Sequence, residues 1–287
     1  MLHTVPIKWL LARLYEPDLV IVDCRFWLND TAAGEQKYLD EHIPRAVYLD
    51  LDKELSAPVT EHGGRHPLPN VETMSRTFGQ AGINRDSRVV VYDDNNGMNA
   101  ARAWWMLTYL GHKQVYVLEQ DFTAWKQANY PVTQDRPVVV PTSFTAQVKP
   151  EMLVQMEEVR KVSSQAGPDD KLPAGSPILI DSRDHRRYLG LEEPLDKKAG
   201  HIPGAVNYFW KEVVNEDGSL KSKEQLEQHF SGLDKDAEII VYCGSGVSAC
   251  PNVLGLKQAG FNNVKLYAGS WSDWISYEEN PVATGEE

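Results

Sequence analysis

One cysteine in this chain is followed by a run of small residues: Tyr242-Cys243-Gly244-Ser245-Gly246-Val247-Ser248-Ala249-Cys250. Glycine and serine let backbone N–H groups converge without side-chain obstruction, which makes a concave site for an anion. A helix that starts just beyond such a loop adds the positive end of its dipole. Together these favour the thiolate, the nucleophilic form of cysteine. Gly244, Ser245, Gly246, Val247 and Ser248 are therefore expected to form an active-site loop around a nucleophilic Cys243. A phosphatase built on a C-x5-R loop needs an arginine six residues after the cysteine, to clamp phosphoryl oxygens bidentately. That position is Ala249. Sulfur transfer through a cysteine persulfide needs the cradle without that arginine. The competing reading is a buried structural thiol on a tight turn.

The elements around the loop must aim it. "AEIIVY" before Cys243 reads as a buried strand, and "CPNVLGLKQAG" after it as a helix closed by Gly260. Pro251 falls in the first turn, where its missing N–H does little harm. The whole chain repeats itself. "VIVDCR", "DEHIPRAVYLDL", "RVVVYDDNNGMNAARAWWML" and "DFTAWKQANYPV" reappear in order as "ILIDSR", "AGHIPGAVNYFW", "EIIVYCGSGVSACPNVLG" and "GSWSDWISYEENPV". Asp23 matches Asp181, His42 matches His201 and Trp125 matches Trp274, at an offset of roughly 150–160 residues throughout. Cys243 matches Asp93, so only one copy carries the thiol.

The fold class is α/β, two similar domains in tandem, each a mainly parallel sheet flanked by helices. In such sheets ligands bind beyond the carboxyl ends of the strands, where Cys243 falls. We place a non-catalytic N-terminal domain at residues 1–135, a linker at 136–150 and a catalytic domain at 151–287. The Pro-rich stretch leading into residue 150 lacks helical periodicity and suits an extended connection. "VKPEMLVQMEEVRKVSS" is read as an amphipathic helix opening the second domain, and residues 166–177 as a turn-rich loop.

Composition narrows the function classes. The 287 residues are 42% hydrophobic and 24% charged, with a formal net charge of −12. No Lys/Arg-rich run appears, so a nucleic-acid partner is not expected. An anionic substrate would need positive charge concentrated locally. Three cysteines, Cys24, Cys243 and Cys250, make no disulfide framework and no zinc spacing. We expect a reducing cytoplasmic setting, no membrane segment and no metal.

These motifs resemble the tandem rhodanese family of sulfurtransferases. The resemblance runs along essentially the whole chain, through "DEHIPRAVYLDLD", "RHPLP", "VVVYD" and "RAWWML" in the first half. In the second it runs through "DSRDHRRYLGLEEP", "GHIPGAVN" and "VYCGSGVSA". It implies an inactive N-terminal rhodanese domain and a catalytic C-terminal one. It also implies a Cys243 persulfide formed from a small-molecule sulfur donor and passed to cyanide, a thiol or a thioredoxin-like acceptor, with no cofactor. The uncharged tip "CGSGVSA" resembles 3-mercaptopyruvate sulfurtransferases more than thiosulfate-preferring enzymes, which carry Arg or Lys there. By that resemblance Ser245 and His42 form a proton relay, with Asp30 a candidate carboxylate partner. Arg187, with Arg186 beside it, is expected to bind the donor's carboxylate. The family's second arginine follows "EP", and here that residue is Leu195, with Lys197 and Lys198 as substitutes that lack a fork.

Other eye-catching residues have structural explanations. His42 and His201 share an "HIP" turn, which points to a common backbone-bonding role, at least for His201. Arg25 and Arg183 follow the strand aspartates and are expected to form ion pairs. Cys24, Cys250, Trp104, Trp105, Trp125 and Trp274 are expected in the core. The alternatives to mercaptopyruvate sulfur transfer are thiosulfate sulfur transfer through the same cysteine, or a non-catalytic sulfur-sensing module.

Overall fold

A computed structural model describes residues 3–285. The chain packs into two compact units. The first holds residues up to Ala57, Pro69–Lys149 and Val214–Leu220; the second holds Pro58–Leu68, Pro150–Val213 and residues from Lys221 on. The division therefore does not follow a single cut between the halves. An eleven-residue segment of the first half packs with the second unit.

Within the first unit the elements are β1 (Thr4–Val5), α1 (Ile7–Arg13), β2 (Leu19–Asp23), α2 (Ala33–Asp40), β3 (Val47–Tyr48), α3 (Val71–Gln80), β4 (Arg88–Tyr92), α4 (Met98–Tyr109), β5 (Val115–Leu118) and α5 (Phe122–Gln127). The sheet runs β1-β5-β4-β2-β3, every pair parallel. The second unit repeats this with β6 (Leu153–Val154), α6 (Met156–Ser163), β7 (Ile178–Asp181), α7 (His185–Tyr188), β8 (Ala205–Asn207), α8 (Lys223–His229), β9 (Ile239–Tyr242), α9 (Cys250–Gln258), β10 (Val264–Tyr267) and α10 (Ser270–Trp274). Its order is β6-β10-β9-β7-β8, again all parallel. The expected α/β architecture is thus present twice.

β9 is the central strand, and all four of its residues are buried. Helices on both faces of a parallel sheet require such an unbroken apolar run. Ile240 and Tyr242 join a core with Leu179, Ile202, Trp271 and Trp274. The first unit has its counterpart in Ile21, Val90, Tyr92, Phe122 and Trp125. The indoles of Trp125 and Trp274 donate to the carbonyls of Pro131 and Pro281, each at 2.8 Å.

One reading of local structure needs correction. "VKPEMLVQMEEVRKVSS" is not one helix: a 3-10 turn at Pro150–Met152 and the edge strand β6 precede α6. A two-residue strand carries no periodicity, and only its pairing with β10 defines it. Residues 136–149 form no helix or strand, as an extended connection should, and are tied down by hydrogen bonds. Thr142 N donates to Gly79 O, Gln147 N to Leu110 O and Lys149 N to Tyr109 O. An extended strap thus satisfies the Tyr109 and Leu110 carbonyls at the end of α4 and adds a further donor to Gly79 O in α3.

Candidate active site

The Cys243 loop leaves the carboxyl end of β9 and turns into α9. Gly246 has φ +75°, and a Cβ there would lie 2.2 Å from Ala268 O. Glycine is required on both counts. This turn lets Gly246 N donate to Cys243 Sγ at 3.2 Å. The N–H groups of Gly244, Ser245, Val247, Ser248 and Ala249 donate to no protein acceptor among the described residues. Cys243 is 1% exposed, and all three cysteines are free thiols.

α10 clamps the loop from the other side. Trp271 N donates to Cys243 O and Ser272 N to Gly244 O, both at 3.0 Å. Cys243 N donates to Ser270 Oγ at 3.1 Å, and that hydroxyl donates to Tyr267 O at 2.9 Å. Ser270 does this at φ +58° while fully buried. A non-glycine residue held in the left-handed region reports local strain that the surrounding packing sustains.

Residues 58–68 line the same site. Gly63 N donates to Asp273 Oδ1 at 2.7 Å and Arg65 N to Ser272 Oγ at 3.1 Å, which pins the segment to α10. His62 stacks on Tyr277 at 4.0 Å between ring centroids. Beyond that anchor, His66 Nδ1 lies 2.7 Å from Ser245 Oγ, and both residues are buried. Beside it, Arg65 forms an ion pair with Asp196. Arg187 reaches the loop from α7, with Nη2 bonded to Glu193 at 2.7 Å and Asp196 at 3.2 Å.

A free thiol at a strand end, open backbone N–H groups and a serine–histidine contact now stand together with two arginines. The model of the rhodanese-like domain matches residues 6–128 and 167–277. A Pseudomonas aeruginosa protein named probable 3-mercaptopyruvate sulfurtransferase is 42% identical over 282 residues, covering 96% of each chain. The chain belongs to the rhodanese family. It is a tandem-domain sulfurtransferase of that family, as its similarity to further members bears out. The Mycobacterium tuberculosis putative thiosulfate sulfurtransferase SseB is 38% identical over 267 residues, covering 92% of this chain and 90% of its own. The crystal structure of the 3-mercaptopyruvate sulfotransferase SseA from Escherichia coli superposes with a TM-score of 0.78 at 33% identity, covering 95% of this chain and all of that one.

Several expected residues of this rhodanese stand elsewhere. His42 is not the partner of Ser245. It is fully buried in the first unit, with Nδ1 2.6 Å from Tyr38 O and Nε2 3.2 Å from Asp135 O. His201 repeats that role in the second unit, bonded to Tyr188 O and Asp170. Asp30 is exposed on a turn and is not a partner of the His42 ring. The histidine that meets Ser245 stands in "RHPLP", whereas the family resemblance points to His42. Arg186 faces solvent and pairs with Glu192 at 2.9 Å. Neighbouring helical residues point about 100° apart, so only one of Arg186 and Arg187 can face the loop. Cys250 Sγ points at Gly246 O, 3.4 Å away. Cys24 is buried beside Asp23 and Asp93, and burial pushes its thiol well above the usual range, with the two carboxylates adding to it.

Arg183 and Arg25 act as buried ion-pair pillars. Arg183 Nη2 bonds Asp181 at 2.6 Å and Gly200 O at 2.5 Å. Arg25 Nη2 lies 2.7 Å from Asp23. At the position matching Cys243, Asp93 fills its own loop. Its Oδ1 accepts from the N–H groups of Asn95 and Gly97, and its Oδ2 from those of Asn99 and Ala100, at 2.8–2.9 Å. Burial nevertheless pushes this carboxyl up to about 6, against the four hydrogen bonds that hold it down. Among the described residues no group of three or more His, Cys, Asp or Glu side chains could hold a metal ion.

Proposed function

We propose that this sulfurtransferase takes sulfur from 3-mercaptopyruvate onto Cys243 and passes it to a thiophilic acceptor. The observation that carries the reading is the His66–Ser245 contact beside a cysteine whose loop tip has no charge of its own. Thiosulfate already carries a sulfane sulfur and needs no proton moved. Mercaptopyruvate carries a thiol proton that must leave, and its carbon must be protonated as the C–S bond breaks. The Cys243 thiolate attacks the donor sulfur, an S–S bond forms and the C–S bond breaks. The electron pair passes to carbon as the enolate of pyruvate. Ser245 and His66 relay the thiol proton to that carbon, giving pyruvate and a persulfide. The open N–H groups of the loop stabilise the terminal sulfur anion. Cyanide, a small thiol or a thioredoxin-like thiolate then attacks the outer sulfur and frees the Cys243 thiolate, as in other two-stage covalent mechanisms. Arg187 holds the donor's carboxylate. No organic or metal cofactor enters this scheme, and the unit carrying Asp93 is non-catalytic.

The resemblance to the thiosulfate-named relative supports a second reading, with thiosulfate as donor to the same cysteine. Mass spectrometry after incubation with each donor tests both. We expect Cys243 to gain one sulfur atom from mercaptopyruvate, and Cys243→Ser to gain none and to lose turnover. A kcat/KM about tenfold higher for thiosulfate would reverse the donor preference. No gain with either donor would leave a non-catalytic binding module. No helix among the described residues is long and apolar enough to cross a membrane. We place the reaction in the cytoplasm, where free thiols persist.

A further inference from the structure

Two guanidinium groups meet over the first glycine of the Cys243 loop. A Cβ on Gly244 would lie 2.9 Å from Nη2 of Arg65, 3.6 Å from Nη2 of Arg187 and 3.8 Å from its Nη1. Side by side, two such cations repel unless anions hold them. Asp196 does so: one oxygen accepts from Nη1 of Arg65 and the other from Nη2 of Arg187. Glu193 takes Nε and Nη2 of Arg187 at 3.1 and 2.7 Å. Glu193 is fixed in turn by the N–H groups of Leu195 and Asp196.

The donors left over are informative. Nε and Nη2 of Arg65 and Nη1 of Arg187 bond no protein acceptor among the described residues. Nε of Arg65 is also buried, and a buried donor without an acceptor is costly to keep. Nη2 of Arg65 and Nη1 of Arg187 both face the residue next to the nucleophile. A pair of planar forks in this arrangement matches a planar carboxylate. Leu195, where the family resemblance implies an arginine, is half-exposed and lines a cavity of about 840 Å³ together with Arg65, Lys197 and Lys198.

We propose that Arg65 is the second arm of the carboxylate clamp, taking with Arg187 the role that an arginine at position 195 would have. The arm comes from the first half of the sequence, on the same segment that supplies His66. Arg65 is therefore a specificity residue, selecting donors that carry a carboxylate. This assignment rests on mercaptopyruvate being a donor.

The test uses the full chain with cyanide as acceptor and two donors. One is 3-mercaptopyruvate; the other is mercaptoacetone, in which a methyl group replaces the carboxylate. Arg65→Gln is expected to raise KM for mercaptopyruvate about 10- to 100-fold, the loss of one or two charge-assisted hydrogen bonds. Its kcat/KM for mercaptoacetone should change by less than about threefold, which also shows a folded site. Arg65→Lys, which keeps the charge and can still pair with Asp196, should fall between. Inhibition by pyruvate, which needs no chemistry, should weaken by the same factor as KM. Equal losses on both donors, or an unchanged pyruvate inhibition constant, would overturn the Arg65 assignment alone. A wild-type protein that takes no sulfur from mercaptopyruvate would overturn the donor reading and this proposal with it.

Discussion

At the scale of single residues, matched positions in the two units show what the cradle favours. Cys243 points its sulfur at Gly246 N, while Asp93 draws four N–H groups onto its carboxylate. Both loops gather backbone donors around an acceptor side chain, and only one acceptor is a thiol. Asp93 gives a pH prediction. Its folded value, about 6, lies above the ordinary 3.8, so the folded state binds the proton more tightly. Between about pH 4 and pH 6 the folded state holds more protons than the unfolded one, and stability falls as pH rises through that window. The Asp93→Asn variant removes this contribution. Urea titrations at several pH values should show the stability difference, wild type minus variant, shrinking from pH 4 to pH 6. A difference that grows over that range would mean that the four N–H bonds outweigh burial.

At the scale of elements, a strand, a tight turn and two helix starts hold the sulfur. β9 delivers Cys243, the left-handed Gly246 turns the chain and α10 grips the carbonyls of Cys243 and Gly244. Gly246→Ala would force a left-handed alanine and drive its Cβ into the carbonyl of Ala268. The expected loss is about 2–4 kcal/mol of unfolding free energy, from backbone strain together with overpacking. Persulfide formation should fall as well, because Gly246 N donates to the sulfur. Chemical denaturation and sulfur loading of the same preparation check both, and a variant as stable as wild type would show that the turn is not strained. Sequence made these elements legible. An unbroken apolar run means a parallel strand, and small residues before a helix mean an anion cradle. The short strands β1 and β6 were not legible, because two residues carry no pattern and gain their structure only from the neighbour they pair with.

At the scale of the whole molecule, the unit that carries Cys243 is assembled from both halves of the sequence. Residues 58–68 pack with residues 150–213 and 221 onward, and bring Arg65 and His66 to the loop. A chain beginning at residue 150 keeps Cys243 and its cradle but lacks both. Its mercaptopyruvate turnover should fall at least about 100-fold, the usual contribution of positioned acid–base groups. A circular dichroism spectrum and the steady-state rate of that fragment check this; full activity would remove His66 and Arg65 from the mechanism. The sequence by itself determined the doubling, the α/β class, a lone thiol at a strand end in a loop of small residues and the absence of a phosphatase arginine. The doubling shows as matching segments, and the rest are local: periodicity, glycine content and spacing are properties of a few neighbouring residues. Which histidine meets Ser245 and where the second guanidinium comes from depend on contacts across up to about 180 positions. Sequence spacing does not encode such contacts. They were decided when Gly63 and Arg65 hydrogen-bonded to α10 and fixed one segment of the first half against the second sheet.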